Sequence, residues 1–281
     1  GRVITHTPND EFSCSAPLGT ILSNCNKLVP AVCGFRIVLT TDQIANMFET
    51  ANNVTAFSLS NMEIQYDMVE FNSPEIQSVV QELSDAGQIT LKSQSYSLTS
   101  QSLQAGVQGS QTLTFNQRLS SIKSLVALFS GAGNNQVNGM YDSVNIAGNG
   151  SYIFEVGGNF FPQKPLHAGN CKANIYSSLA DCWGGDSHDL YNESMSIIPV
   201  EFNGEDGTTT ATKSGRFYVG QNTEKLQTSA LLTGMSSNNS AINLRLEISD
   251  ATANAHQVSL ICLYDSLLTI DLMSKQASVR V

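Results

Sequence analysis

Gln111-Thr-Leu-Thr-Phe-Asn-Gln-Arg-Leu-Ser-Ser-Ile-Lys-Ser-Leu-Val-Ala-Leu-Phe129 opens as an alternation of apolar and polar side chains and closes as an unbroken apolar run. A strand reads this way when it leaves a half-exposed sheet for a core. A Gly/Asn-rich excursion follows, and then Ser151-Tyr-Ile-Phe-Glu-Val-Gly-Gly-Asn-Phe-Phe-Pro-Gln-Lys-Pro-Leu166. This second arm also alternates. It breaks at Gly157-Gly158 and is expected to stop at Pro162 and Pro165, which cannot donate to a ladder. Neither arm holds a nucleophile, a general base or a ligand set, so both read as scaffold.

The same pattern extends outward. After residue 88 the expected strands are Ile89–Leu98, Ser110–Phe129, Tyr152–Phe161, Ser194–Phe202, Arg216–Gln221, Ala241–Ile248, Gln257–Tyr264 and Leu267–Val281, the last divided near Ser274. Ala241–Ile248 is the cleanest: Ile242, Leu244, Leu246 and Ile248 alternate with Asn243, Arg245 and Glu247, which places one face on a core. A short helix is expected at Cys171–Leu179. Eight antiparallel strands in two facing sheets make a jelly roll, although galectin-like and immunoglobulin-like sandwiches share this grammar. The predicted fold class is therefore all-β, an antiparallel jelly-roll sandwich with short helices between strands.

Upstream, short apolar runs (Arg2–Thr7, Thr20–Leu22, Phe35–Thr40) lie between Pro, Asn and Gly. Thr41-Asp42 caps a predicted helix Gln43–Thr50. Ala56–Phe71 alternates as a long strand, with Met62, Ile64, Tyr66 and Met68 on one side and Glu63, Gln65 and Asp67 on the other. A helix from Ser73 to Ala86 follows, with Pro74 at its first position. The first 72 residues thus supply about four strands, too few to close a sandwich. They are expected to be the end of a preceding domain whose start lies outside the chain, which begins at Gly1 without Met.

Composition narrows the function. The chain has 281 residues, 41% hydrophobic and only 14% charged, with a net charge of -10. A surface kept polar by Ser, Thr, Asn and Gln is buried against other subunits with little charge desolvation. The negative balance argues against coating nucleic acid, which needs clustered Lys and Arg. No run of about 18 apolar residues is present to span a membrane. Of the six cysteines, Cys14, Cys25, Cys33, Cys171, Cys182 and Cys262, the last sits in an apolar run where a buried thiol is expected. Free thiols are the expected state, which implies a reducing compartment.

The candidate sites are weak. His167, Cys171, Cys182 and His188 are zinc-ligand types, but their spacing matches no structural zinc pattern. Asp181, Asp186 and Asp189 surround Trp183-Gly-Gly without the alternating carboxylates and closing Glu of a calcium loop. The histidines are His6, His167, His188 and His256, and no Gly-x-Ser-x-Gly, Walker or His-Glu-x-x-His motif accompanies them. The expectation is no catalytic residue, no cofactor, no metal and no enzyme. Sequons at Asn53, Asn149, Asn192 and Asn238 favour an alternative: a secreted β-sandwich that binds carbohydrate or acts as an adhesin through residues such as Trp183 and Tyr191.

Several pieces carry a family resemblance through their order. They are Phe57–Glu70 with the helix after it, Gly87-Gln-Ile with Ser95-Tyr96, and Arg118–Ser124 with its Ser-x-Lys element. Then come Gly157–Pro165, Arg216-Phe-Tyr-Val-Gly220 with Glu224-Lys-Leu226 and Gly234, and Tyr264-Asp-Ser-Leu-Leu-Thr-Ile270. In this order the chain resembles the double jelly-roll major capsid proteins of double-stranded DNA viruses, in the group of polinton-like viruses, virophages and nucleocytoplasmic large DNA viruses. The resemblance covers residues 35–281. Most of a first roll has no counterpart, and residues 8–34 match none of the family's pieces.

The resemblance implies a structural protein divided into the C-terminal part of a first jelly roll (1–72), an inter-domain helix (73–88) and a second jelly roll (89–281). It implies homotrimers of pseudo-hexagonal outline that tile an icosahedral shell, with neighbouring capsomers, penton and minor capsid proteins as partners. It also implies assembly inside the host cell, a place in the virion, and no sequence-specific nucleic-acid binding. Gly131–Val144 and Glu201–Ser214 would be contact loops. Arg118 and Lys123, charged within an apolar arm, need partners or a rim position. Lys123→Met is expected to leave the fold intact. Leu125→Asp is expected to abolish soluble protein, because it puts a charge in the core. A soluble Leu125→Asp protein, assayed by expression and fractionation, would remove this stretch from the core.

Overall fold

The computed structural model describes residues 57–70, 72–85, 87–131, 143–169, 172–183, 217–224, 233–252 and 254–281, with the segment 36–41 and single positions 15, 29 and 202. Helix α1 (Pro74–Asp85) starts on the proline, whose missing N–H costs nothing in a first turn. Nine strands follow: β1 (Gln88–Leu103), β2 (Gly109–Phe115), β3 (Ile122–Gly131), β4 (Ser151–Val156), β5 (Asn159–His167), β6 (Tyr218–Asn222), β7 (Ile242–Ile248), β8 (His256–Asp271) and β9 (Gln276–Arg280). Helix α2 (Lys172–Ala180) and a 3-10 turn at Asp181–Trp183 lie between β5 and β6.

The ladders sort these strands into two antiparallel sheets. One runs β1-β8-β3-β6, with β9 also paired to β8, and the other runs β2-β7-β4-β5. The chain changes sheet after β1, β2, β3, β5, β6 and β7, and only the β4–β5 and β8–β9 hairpins join consecutive neighbours. Eight strands in this alternating order form the two Greek keys of a jelly roll, which separates the fold from the other sandwiches.

The deciding stretch is therefore two strands. Residues 109–115 pair with β7 in one sheet, and residues 122–131 pair with β8 and β6 in the other. Asn116–Ser121 carries the chain across the sandwich, which is why the alternation gives way to a solid apolar run. The second arm is a hairpin. Gly157 and Gly158, at φ 60° and 79°, form a turn of the kind that requires left-handed backbone at both positions. Strand β5 continues through Pro162 and Pro165 to His167. It is an edge strand, and on the solvent side a missing N–H breaks no ladder bond.

Two other readings change. β8 is one strand of 16 residues, without the expected break between Tyr264 and Leu267. Asp265 and Ser266 fall between two expected strands but are buried strand residues here. The division near Ser274 is present: Asp271 Oδ1 accepts the N–H groups of Met273 and Ser274, and β9 returns antiparallel to β8. Residues 57–70 form no strand. A strand needs a ladder, and residues 58–70 form none; Met62, Ile64, Tyr66 and Met68 stand exposed. The predicted elements at 2–7, 20–22, 43–50 and 194–201 lie outside the described residues.

The core fills the gap between the sheets. Leu125, Ala127 and Phe129 of β3 meet Tyr152, Phe154 and Val156 of β4, Leu244 and Leu246 of β7, and Val258, Leu260 and Cys262 of β8. Tyr152 is fully buried, with Phe129 at 5.3 Å and Phe217 at 5.7 Å between ring centres. Its hydroxyl donates to Asn145 Oδ1 and accepts the Ala147 N–H, so its polar tip is satisfied. α2 packs on β6 and buries Ile175 and Leu179.

Residues 233–237 close the sandwich by pairing with the chain that enters β3. Ile122 and Met235 exchange both backbone hydrogen bonds, and the Ser237 N–H donates to the Leu119 carbonyl. A Cβ on Gly234 would lie 2.4 Å from the Ile122 carbonyl oxygen. Gly234→Ala is therefore expected to lower unfolding stability by about 1–3 kcal/mol, with Ser236→Ala, on an exposed side chain, as control. An unchanged urea midpoint for the glycine variant would contradict this close approach.

Candidate functional site

The sequence candidates do not converge. Cys171 and His188 lie outside the described residues. His167 is exposed at the end of β5, whereas Cys182 is buried and donates to the Ser178 carbonyl. Burial raises the Cys182 thiol, and the negative charge of Asp181 adds to this; burial pushes Cys262 up to about 12. Both are free thiols held protonated in the core, a poor state for metal or nucleophile chemistry. Asp186 and Asp189 are outside the described residues, and Asp181, exposed, opens the 3-10 turn. Among the described residues no group of three His, Cys, Asp or Glu could hold a metal ion.

One cross-strand row looks catalytic by composition. Ser151 pairs with Glu247 on one side and His167 on the other. The order is wrong for a triad, because the histidine must stand between the acid and the serine. His256 is buried at the end of β8, opposite Leu103 and Gly131. His6 is outside the described residues. A concavity of about 580 Å³ beside the β4–β5 hairpin is lined by residues 158–163 and Met235, without a titratable group. Sequon residues Asn149 and Asn238 both sit in exposed turns.

What the fold does bring together is a set of charges at the start of β3. A bulge between Ile122 and Ser124 interrupts the β3–β8 register. Lys123 reaches Glu224 at 3.3 Å, and Thr233 also donates to that carboxylate. Asp265 is buried. It accepts from Ser121 Oγ at 2.9 Å and lies 3.5 Å from Lys92 Nζ, its diagonal neighbour on β1. Ser121 Oγ also accepts the Gly234 N–H, and the Asp265 N–H donates to the Ser121 carbonyl. Arg118 is exposed at the rim. Lys123 thus has a partner and Arg118 a rim position, the two outcomes open to charges in that arm.

This cluster ties β1, β3, β8 and the segments after β6 into one polar knot. It has the chemistry of a latch: opposite charges paired with little water, holding strands that are far apart in sequence. Asp265 and Glu224 were missed as functional positions. The signal for both was the one that singled out Lys123, a charge inside or beside an apolar run.

A second polar group lies on the outer face of the other sheet. Arg245 binds Glu155 at 2.6 Å and stacks on Phe160 at 5.1 Å. Asn243 links Glu155 to Thr114. These groups satisfy one another across four strands. Among the described residues no helix is long and apolar enough to cross a membrane.

No sequence model of a known family matches the chain, and no curated protein matches it. Solved structures similar to it come from viruses. PBCV-1 VP54, fitted into a cryo-EM reconstruction of the virophage Sputnik, is 12% identical with a TM-score of 0.42, covering 74% of this chain and 54% of that one. The cryo-EM structure of the Sputnik virophage is 17% identical with a TM-score of 0.40, covering 69% and 39%. The mavirus major capsid protein is 10% identical with a TM-score of 0.35, covering 69% and 42%. The chain spans about half or less of the length of these chains.

The latch makes a thermodynamic prediction. Lys123→Met should keep the fold but lower stability by about 1–3 kcal/mol, because it strands the buried Glu224 carboxylate. Adding Glu224→Gln should recover part of that loss. The check is a double-mutant cycle by chemical denaturation; strictly additive effects would mean the pair is not coupled.

Proposed function

We propose that this chain is a subunit of a viral capsid shell, the larger part of it being the second jelly roll of a double jelly roll. The observation that carries the reading is the convergence of three separated motifs. Arg118–Ser124, Glu224 with Gly234, and Tyr264–Ile270 meet in one hydrogen-bonded knot. In sequence they carried the resemblance only by their order. In the jelly roll they form the junction where β3 and β8 pair.

Three further features support it. The strand order is that of a jelly roll. Among the described residues the ion pairs Lys92–Asp265, Lys123–Glu224 and Arg245–Glu155 join strands to one another instead of converging on a pocket. The chain is large and weakly charged, which suits extensive burial between subunits.

On this reading residues 1–72 belong to a first roll, residues 73–88 with α1 link the rolls, and residues 89–281 are the second. The exposed apolar side of 57–70 then faces strands of the first roll. Closed trimers would tile a shell inside the host cell and meet penton and minor proteins, and the virion is where the protein resides.

Light scattering coupled to size exclusion tests the proposal. The expected result is a trimer or a larger assembly. A strictly monomeric protein at high concentration would sink it, and glycan binding lost in Trp183→Ala would put the carbohydrate-binding module in its place.

A further inference from the structure

The two lateral sides of the sandwich are built differently. On one side stand β5 and β6, the edges of their sheets. β5 carries Pro162, Lys164 and Pro165 along its edge. β6 is only five residues long and is covered by α2. Proline, lysine, short length and a covering helix are the ways proteins keep a sheet edge from pairing with another chain.

The opposite side is formed by β1 and β2, the other edge of each sheet. Among the described residues none of these guards covers residues 95–117, and residues 93–117 contain no Asp, Glu, Lys, Arg, His or Pro. β1 is 16 residues long, and its single charge, Lys92, is held by Asp265. Tyr96 and Leu98 point away from the core and are 46% and 66% exposed. They lie in register with Leu263 and Ile261 of β8, which are buried and half-buried, so the exposed apolar pair belongs to β1. On β2, Ser110, Thr112 and Thr114 are exposed and neutral.

We propose that the β1–β2 side is the surface through which the chain contacts a second copy of itself. The choice of partner follows from charge. Copies of a chain with net charge -10 repel one another least where that charge is absent; residues 93–117 carry none of it, and the exposed charges in register with β2, Arg245 and Glu247, are of opposite sign. A basic partner would need acidic groups here, and residues 93–117 offer none. The stretch is of the size that one side of a standard interface uses, roughly 20–30 residues. Tyr96 and Leu98 supply the apolar anchor within a neutral polar surround. The inference rests on the shell-subunit reading and adds to it the face that makes the contact.

Sedimentation velocity over a concentration series, on the full chain, tests both separately. Leu98→Glu on β1 and Thr112→Glu on β2 each place a charge on the proposed side, at exposed positions. Gln163→Glu places the same charge on the exposed edge of β5. The expected result is a self-associating wild type, an association constant lowered at least tenfold in both Leu98→Glu and Thr112→Glu, and no change in Gln163→Glu. Wild-type association that persists in both β1 and β2 variants, with unchanged thermal melting, would overturn this surface while leaving the shell-subunit reading in place. A wild type that stays monomeric throughout would overturn both.

Discussion

Strand β8 is hydrogen-bonded along both edges, to β1 on one side and to β3 and then β9 on the other. At about 3.4 Å per residue its 16 residues span roughly 50 Å, whereas its opposite numbers β2 and β7 have seven residues each. One half of β8 therefore faces the other sheet and buries Val258, Leu260 and Cys262 in the main core. The other half runs past it and forms a small cluster of Leu91, Leu268 and Ile270, with Val29, Ile89 and Leu272 against it. The two halves meet at Asp265.

A buried carboxylate at that junction constrains everything near it. Left unpaired it would cost several kcal/mol, so Lys92 must approach from β1 and Ser121 from the chain entering β3. Ser121 in turn receives Gly234, and the neighbouring Lys123 receives Glu224. Register slips on any of these strands would strand a charge, which makes the knot a device for specifying alignment as well as for holding it. Most charges of this sheet are gathered into that band. Apart from Asp271 at the far end of β8, the remainder of β1, β3, β6 and β8 carries no Asp, Glu, Lys or Arg, and a neutral sheet face next to an unguarded edge is what the proposed subunit contact requires.

Much of the fold was legible because alternation survives in the strands. Ile242–Ile248, with every second side chain buried, was read to within one residue. The helices at Pro74 and Lys172 were read from a favourable first position and from a polar interruption of the strand pattern. Errors arose where one local signal has two meanings. Asp265-Ser266 falls between two expected strands because its polarity interrupts the apolar pattern, and burial beside Lys92 and Ser121 makes it strand. Pro162 and Pro165 looked like a stop because most strands have neighbours on both sides, and β5 does not. Ala56–Phe71 alternates well, yet alternation alone does not make a strand without a neighbour to pair with.

By itself, then, the amino-acid sequence determined the class of fold, the apolar faces, the turn at Gly157-Gly158 and the neutrality of residues 93–117. These follow from local backbone preference and side-chain polarity, which each residue carries wherever it is placed. Only the tertiary structure decided that Ser110–Phe129 belongs to two sheets, that Lys123 meets Glu224 and Lys92 meets Asp265, and that the neutral stretch forms one whole side of the sandwich. Those facts depend on which strands lie side by side. Residues about 100 to 170 positions apart become neighbours through ladder order, and periodicity within a strand carries no information about its partner.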